Sequence, residues 1–488
     1  MSDIYSPHTD QSAPLLKRVL GPFDLTIFLV AALVNLNSAP VVSSIGPGAL
    51  LLWAIGFLFF FIPQSIAVLE LSARYPNEGG IYNWSKKAFG NYHGFVSGWC
   101  YWTNNIFYVP TLLFYIIGFA AFIGGDRTAG FSQNPWIMAT AALGLLWLIT
   151  LINIFGLDVG KWIQNIGVFG TLFTTVLILG IGLLAIRHQG MANRVSSATL
   201  FAPLTDVRAL VLLSVVCLNY VGVELGPVLG DEIKKPRRTI PRAVIIAGSV
   251  TVLLYLLVTF ALQVTIPAAE IGVIDGILQG VKRTAAQLGI LWIVPPIALL
   301  MSLNAAGNTS VWLAGSARIP FVIGLDRYLP AALGKIHRRF FTPYVSLVVQ
   351  SAASSLFIII SALGSSVTEM YLILLQTTTI LQLIPYLYMF AALYKIRFQP
   401  QFQGDGRGFF RRNWICAGGA VVGFMVTLGG TIFAFLPSMR VDNLWIFESK
   451  LLLGVLGFLL PATFLFRWSH RRIITLHLTP QAIPVTPE

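Results

Sequence analysis

Apolar runs long enough to cross a lipid bilayer take up most of this chain, and two of them are broken at mid-length by small and polar residues. A helix needs about 20 apolar residues to span the hydrocarbon core. Twelve such runs are read, at roughly 23–45, 48–71, 95–123, 135–153, 162–186, 209–229, 241–264, 290–315, 343–363, 367–394, 414–436 and 449–467. The first is broken at Asn35-Leu36-Asn37-Ser38-Ala39-Pro40, the sixth at Leu218-Asn219-Tyr220-Val221-Gly222-Val223-Glu224. Backbone freed from helical bonding is costly in hydrocarbon, so it survives only where protein or a water-filled cavity satisfies it. Interrupted helices at matching places in two halves are the best sequence pointer to a transporter's substrate site. Here the breaks lie 182 positions apart, from Leu36 to Leu218, which suits a repeat of about five helices. Such a chain is expected to move a small molecule across a membrane.

Composition agrees. With 56% hydrophobic and 10% charged residues and a mean hydropathy of +0.77, the chain is an all-α integral membrane bundle with no room for a separate soluble domain. The first twenty residues are polar and show no apolar signal-peptide core, so the first span is expected to stay in the mature protein. Cys100, Cys217 and Cys416 all fall inside spans, which argues against a disulfide framework or a disulfide-linked partner.

The net charge of +13 does not point to nucleic acid. With the N-terminus placed in the cytoplasm, 24 of the 32 lysines and arginines fall on inner segments and 8 on outer loops. That bias is the positive-inside rule; it puts both termini in the cytoplasm and the chain in the cell (inner) membrane, its basic residues beside anionic lipid.

Three stretches carry a family resemblance. One runs from Glu70 through Tyr75, Pro76, Gly79, Gly80 and Tyr82 to Trp84, then Lys87 to Gly90. A second runs from Gly230-Asp231-Glu232 through Pro236 to Pro241. The third runs from Gly315 through Arg318 and Asp326 to Pro330, Thr342 and Pro343. Together with the hydropathy pattern over residues 20 to 395, the chain resembles the amino acid–polyamine–organocation transporter superfamily. Phe61-Ile62-Pro63-Gln64 and the first stretch are most similar to the bacterial glutamate–GABA antiporter branch, whereas Leu218-Asn219-Tyr220 resembles polyamine uptake members. The resemblance implies two inverted five-helix repeats, 23–186 and 209–394, with helices 1 and 6 discontinuous. It also implies two appended spans over 414–467, cytoplasmic tails at 1–22 and 468–488, and alternating access.

At each break the ending half-helix offers free carbonyls and the beginning one free N–H groups, which together suit an amino acid zwitterion. Candidate substrate contacts in the first break are Asn37, Ser38, Ala39 and Ser43, with Pro40 suited to the start of a new helix. The superfamily usually places a glycine-serine-glycine run here, but this chain has no glycine between Gly21 and Gly46, which implies a differently shaped headgroup site. In the second break the candidates are Leu218, Asn219, Tyr220 and Gly222. Glu224 is the one carboxylate read near the middle of a span; such a group is expensive in the membrane and is expected to act as a proton-responsive gate or cation contact, or else as a neutral packing residue.

Asn104 and Asn105 lie where arginine-exchanging relatives line their cavity; interhelical hydrogen bonding is the equal alternative. Ser302, Asn304, Asn308, Thr309 and Ser310 cluster within about two turns, a spacing that favours a cavity face over scattered packing. Gln376 and Gln382 are read as packing or gate residues. Thr171 stands where several relatives carry a coupling lysine, and no histidine falls in mid-span. Coupling is left to a Glu224-dependent proton effect, to a sodium ion near Thr171 and the eighth span, or to plain exchange.

The expected function is secondary transport of amino acids, with a polyamine or amine permease as the alternative. A transport-dead sensor or accessory subunit lacks any supporting signal. An enzyme would need a nucleophile–base pair or metal ligands such as GxSxG or HExxH, and neither occurs; no cofactor or metal is called for.

Overall fold

The computed structural model describes residues 18–76, 79–124, 134–202, 207–272, 276–362, 367–402, 407–436 and 444–478. Its helices are α1 (Pro22–Leu33), α2 (Ala39–Ser43), α3 (Ala49–Arg74), α4 (Ile81–Phe89), α5 (Asn91–Ala120), α6 (Pro135–Ile154), α7 (Leu157–Gln189), α8 (Ser197–Phe201) and α9 (Val207–Asn219). They continue with α10 (Leu225–Val228), α11 (Pro236–Thr265), α12 (Gly276–Gln287), α13 (Val294–Leu325), α14 (Tyr344–Ala362), α15 (Val367–Phe398), α16 (Asn413–Phe433) and α17 (Leu444–Leu478). Among the described residues the β-structure is a single bridge, Leu20 to Ile233. Nine helices there are long and apolar enough to cross a membrane: α3, α5, α6, α7, α11, α13, α15, α16 and α17. Pro22–Leu33 and Tyr344–Ile360 are shorter apolar helices.

The bundle is organised around α5, the most deeply buried of the nine, which packs most extensively against α13 and α15. α13 also packs along α7, and α1 lies against α11. α17 is the most exposed of the nine, with Leu453, Leu460 and Phe464 pointing outward, as expected for a helix facing lipid. Cys100, Cys217 and Cys416 are free and buried.

The three stretches that carried the resemblance meet at one end of the bundle. Arg318 and Glu232 form a buried ion pair at 2.9 Å, which joins the third stretch to the second. Lys86 Nζ reaches Asp326 at 2.6 Å and the Tyr82 hydroxyl donates to the same carboxylate, joining the first to the third. Gly79 N–H donates to Val228 O at 3.2 Å, beside the second. At the same end the N–H groups of Val19 and Leu20 donate to Glu232 O at 3.0 Å, and Lys234 N–H returns to Leu20 O.

A second buried network lies where α3 and α15 end. Glu70 accepts from Arg74 Nε at 2.9 Å, Arg397 Nη1 at 2.8 Å and Phe410 N–H at 3.0 Å. Arg397 spends its other donors on Asn413 Oδ1 and Phe410 O, so the segment before α16 is strapped across both helices. Gly408 packs closely against this network: a β-carbon there would stand 2.1 Å from Glu70 Oε1 and would have to displace that carboxylate. Glu70 therefore sits in a network that joins the ends of α3 and α15 to the segment before α16.

Candidate functional site

Both breaks are present and adjacent. α1 stops at Leu33 because Val34 and Asn35 turn extended (φ −87° and −113°), and one 3₁₀ turn over Leu36–Ser38 leads into α2, with Pro40 in its first turn. α9 stops at Asn219, and Gly222 takes φ +137°, a conformation that side chains rarely adopt, before α10 begins. The second break packs on the last turn of α1: a β-carbon on Gly222 would lie 3.4 Å from that of Ala32.

Carbonyls freed at the end of α1 are satisfied by side chains from other helices. Asn308 Nδ2 donates to Ala31 O at 2.6 Å, Trp312 Nε1 to Ala32 O at 3.1 Å, and the Tyr255 hydroxyl to Leu33 O at 2.8 Å. On the α9 side Gln64 Nε2 donates to Tyr220 O. Trp53 stacks on Tyr255 (4.1 Å between centroids, 4° between planes), and the Tyr220 hydroxyl donates to Trp53 O at 3.0 Å. This aromatic wall backs the breaks and lets unwound backbone persist in a low-dielectric interior.

Between the breaks lies a narrow cleft of about 10 Å³, room for about one water molecule. It is lined by Ala32, Leu33 and Asn35 at the end of α1, Asn104 and Tyr108 of α5, Leu218, Asn219 and Val221 of the second break, Trp312 of α13 and Gln382 of α15. None of these ten residues is charged. Tyr108 and Trp312 meet edge to face at 5.5 Å and 81°.

Of the residues proposed from sequence, Asn104, Leu218 and Asn219 line this cleft. Ser38, Ala39 and Ser43 are buried in or beside the first break but do not line it. The Asn37 side chain lies outside what the structure describes. Asn105 donates to Tyr101 O on its own helix, and Tyr220 faces the aromatic wall. Ser310 pairs with Asn153 of α6, while Asn308 faces α1, so the polar cluster of the eighth span divides between two helix faces rather than forming one cavity face. Thr171 donates to Gly167 O of its own helix at 2.9 Å.

Glu224 is fully buried behind the cleft. It accepts from Tyr101 at 2.9 Å, from Gly222 N–H at 2.9 Å and from the Tyr386 hydroxyl. The carboxylate thus ties the second break to α5 and α15, with its lone pairs committed to protein donors.

Sequence reasoning missed Asn35 as a contact, and with it Tyr108 and Trp312, and it gave Gln382 only a packing or gating role. Aromatic residues in an apolar helix carry no periodic signal, and Gln382 is distinguished only by what α15 faces.

Comparison with known proteins agrees with this architecture. Residues 20–457 match the family described as amino acid permease. An uncharacterized transporter of Legionella pneumophila is 26% identical over 446 residues, 91% of this chain and 95% of the relative. A Lactococcus lactis protein named as a probable agmatine/putrescine antiporter is 25% identical, covering 78% of this chain and 80% of its own length. A glutamate/gamma-aminobutyrate antiporter of the same species is 21% identical, over 79% and 78%. Broken helices, a neutral polar cleft between them and a family match over nine-tenths of the length lead to one conclusion: the chain belongs to the amino acid permease family of the amino acid–polyamine–organocation superfamily and is a multi-pass membrane transporter, not an enzyme.

Proposed function

We propose that this protein is a secondary transporter that exchanges amino acids or small amines by alternating access, holding its substrate in the cleft between the two helix breaks. The observation that carries this is the placement of a polar cleft where two interrupted helices end side by side, with freed backbone held by Tyr255, Asn308, Trp312 and Gln64. The relatives named as antiporters of agmatine and putrescine and of glutamate and gamma-aminobutyrate support exchange of a compact amine-bearing substrate. The nine long apolar helices, the shorter Pro22–Leu33 and Tyr344–Ile360 and the broken α9–α10 support twelve passages in a five-plus-five repeat with two appended spans. Charge bias supports cytoplasmic termini in the inner membrane.

Glu224 is assigned as the proton-responsive element, acting on the second break through Gly222 and on α5 and α15 through Tyr101 and Tyr386 rather than by touching substrate. A sodium ion is the competing coupling species.

The test is a thermal-shift screen of the purified protein with amino acids, γ-aminobutyrate and polyamines, with and without sodium, at two pH values, followed by counterflow in proteoliposomes. A ligand that binds only the folded state raises its stability by mass action. Stabilisation and counterflow by an amino acid or amine are expected. If none of these compounds binds or exchanges, the proposal is wrong.

A further inference from the structure

Two buried amides in the cleft each leave one polar atom without a partner among the described residues, and the two atoms are of opposite kind. Asn35 donates from Nδ2 to the Tyr108 hydroxyl at 2.8 Å, which leaves Oδ1 as an open acceptor. Gln382 accepts at Oε1 from Asn104, which leaves Nε2 as an open donor. Both residues line the cleft, and they are 6% and 1% exposed. Unpaired polar atoms at this depth are costly, and a ligand that pairs both recovers that cost.

The orientation of Gln382 is dictated by the backbone. Asn104 Nδ2 donates to Tyr101 O at 2.9 Å, and a carbonyl only accepts, so the atom of Asn104 in that position is its nitrogen. The same nitrogen faces Gln382, which must therefore turn its oxygen to Asn104, leaving its amide Nε2 unpaired on a residue that lines the cleft. Asn35 follows the last turn of α1, the negative end of a 12-residue helix, where an ammonium is favoured. The amides are anchored on Tyr108 and Asn104, one helical turn apart on α5 and so separated by about 6 Å along its axis.

Resting on the transport function proposed above, we infer that the cleft reads both ends of an ω-amino acid, the ammonium at Asn35 Oδ1 and the carboxylate at Gln382 Nε2, and that Gln382 is the residue that discriminates against diamines. A diamine of equal length would set its second ammonium against an amide donor and leave both unpaired. An α-amino acid carries both groups on one carbon and does not reach across a helical turn. The methylenes between the charged ends would pack against Tyr108 and Trp312.

Three probes of four carbons each separate these cases: γ-aminobutyrate, its isomer 2-aminobutyrate, and putrescine. Binding to the full-length protein in detergent is measured by thermal shift and by competition. γ-Aminobutyrate is expected to bind about tenfold or more tighter than either of the others, the difference made by one charged hydrogen bond. Gln382→Glu keeps the shape but replaces the donor with an acceptor, and should lower γ-aminobutyrate affinity about tenfold while raising that of putrescine. Asn104→Leu frees the Gln382 amide to rotate and should shrink the discrimination while ligand-free stability shows that the fold persists. Equal or tighter binding of putrescine or 2-aminobutyrate by the wild type overturns the inference, as does a Gln382→Glu variant that weakens all three alike. A wild type that binds some other amino acid or amine but none of these three overturns this inference alone, whereas one that binds no amino acid, γ-aminobutyrate or polyamine in the wider screen removes the transport proposal as well.

Discussion

The hydroxyl of Tyr255 donates to Leu33 O at 2.8 Å and accepts from Asn35 N–H at 3.0 Å, so one side chain of α11 closes the first helix break on both sides. It also stands 3.3 Å from Asn219 O at the second break. Tyr255→Phe keeps the stack on Trp53 but strands a buried carbonyl and a buried N–H, each worth about 1–3 kcal/mol. The variant should melt earlier in detergent and lose most exchange in proteoliposomes. Unchanged exchange would show that the breaks hold without this hydroxyl.

Glu224→Gln fits the same space, because its oxygen can take the Gly222 N–H and its amide can face the Tyr101 hydroxyl. Folding should therefore survive. Glutamine carries no titrating proton, so exchange should lose its pH dependence and resemble, at high pH, the wild type at low pH. A pH profile superimposable on the wild type's would take Glu224 out of coupling.

Gly222 permits no side chain without strain. Its φ of +137° disfavours any β-carbon, and atoms beyond that carbon would press on Ala32, which already lies 3.4 Å from it. Gly222→Ala should cost about 1–3 kcal/mol, and Gly222→Leu should abolish ligand binding. Ser38→Trp forces bulk into the buried turn of the first break and should do the same. Normal ligand-induced stabilisation in both bulky variants would place the substrate site elsewhere.

Glu70→Ala leaves Arg74 and Arg397 facing each other with no carboxylate between them. Loss of one partner from a buried ionic network costs about 3–5 kcal/mol. A large fall in thermal stability is expected, with the substrate preference of the remaining folded protein unchanged. A change in preference without a change in stability would assign Glu70 to the transport cycle instead.

How far the site was legible in sequence differs from residue to residue. Asn219 was visible because it interrupts an apolar run, and Leu218 because it stands next to that interruption, a signal that needs no partner. Glu224 was visible because a carboxylate within a span must be paired; its partners Tyr101 and Tyr386 were not, because a tyrosine inside a membrane helix is unremarkable until its neighbour is known. Ser310 looked like a cavity residue from its cluster, yet α13 turns Ser310 toward α6 and Asn308 toward α1, because residues two apart on a helix point to different faces. Gln382 looked like packing and lines the cleft.

Chain chemistry alone determined that this protein lives in a membrane as a helical bundle, where two of its helices must break, and which loops identify its family. Each of these follows from local hydropathy, glycine and proline placement, or charge, which are properties of short stretches. Tertiary structure decided what fills the breaks: Tyr255, Asn308 and Trp312 come from helices more than 200 positions away from α1, and the open atoms of Asn35 and Gln382 exist only because Tyr108 and Asn104 occupy the other half of each amide. A hydrogen bond left unmade is a relation among three or four side chains in space, and that relation is set by how the helices pack.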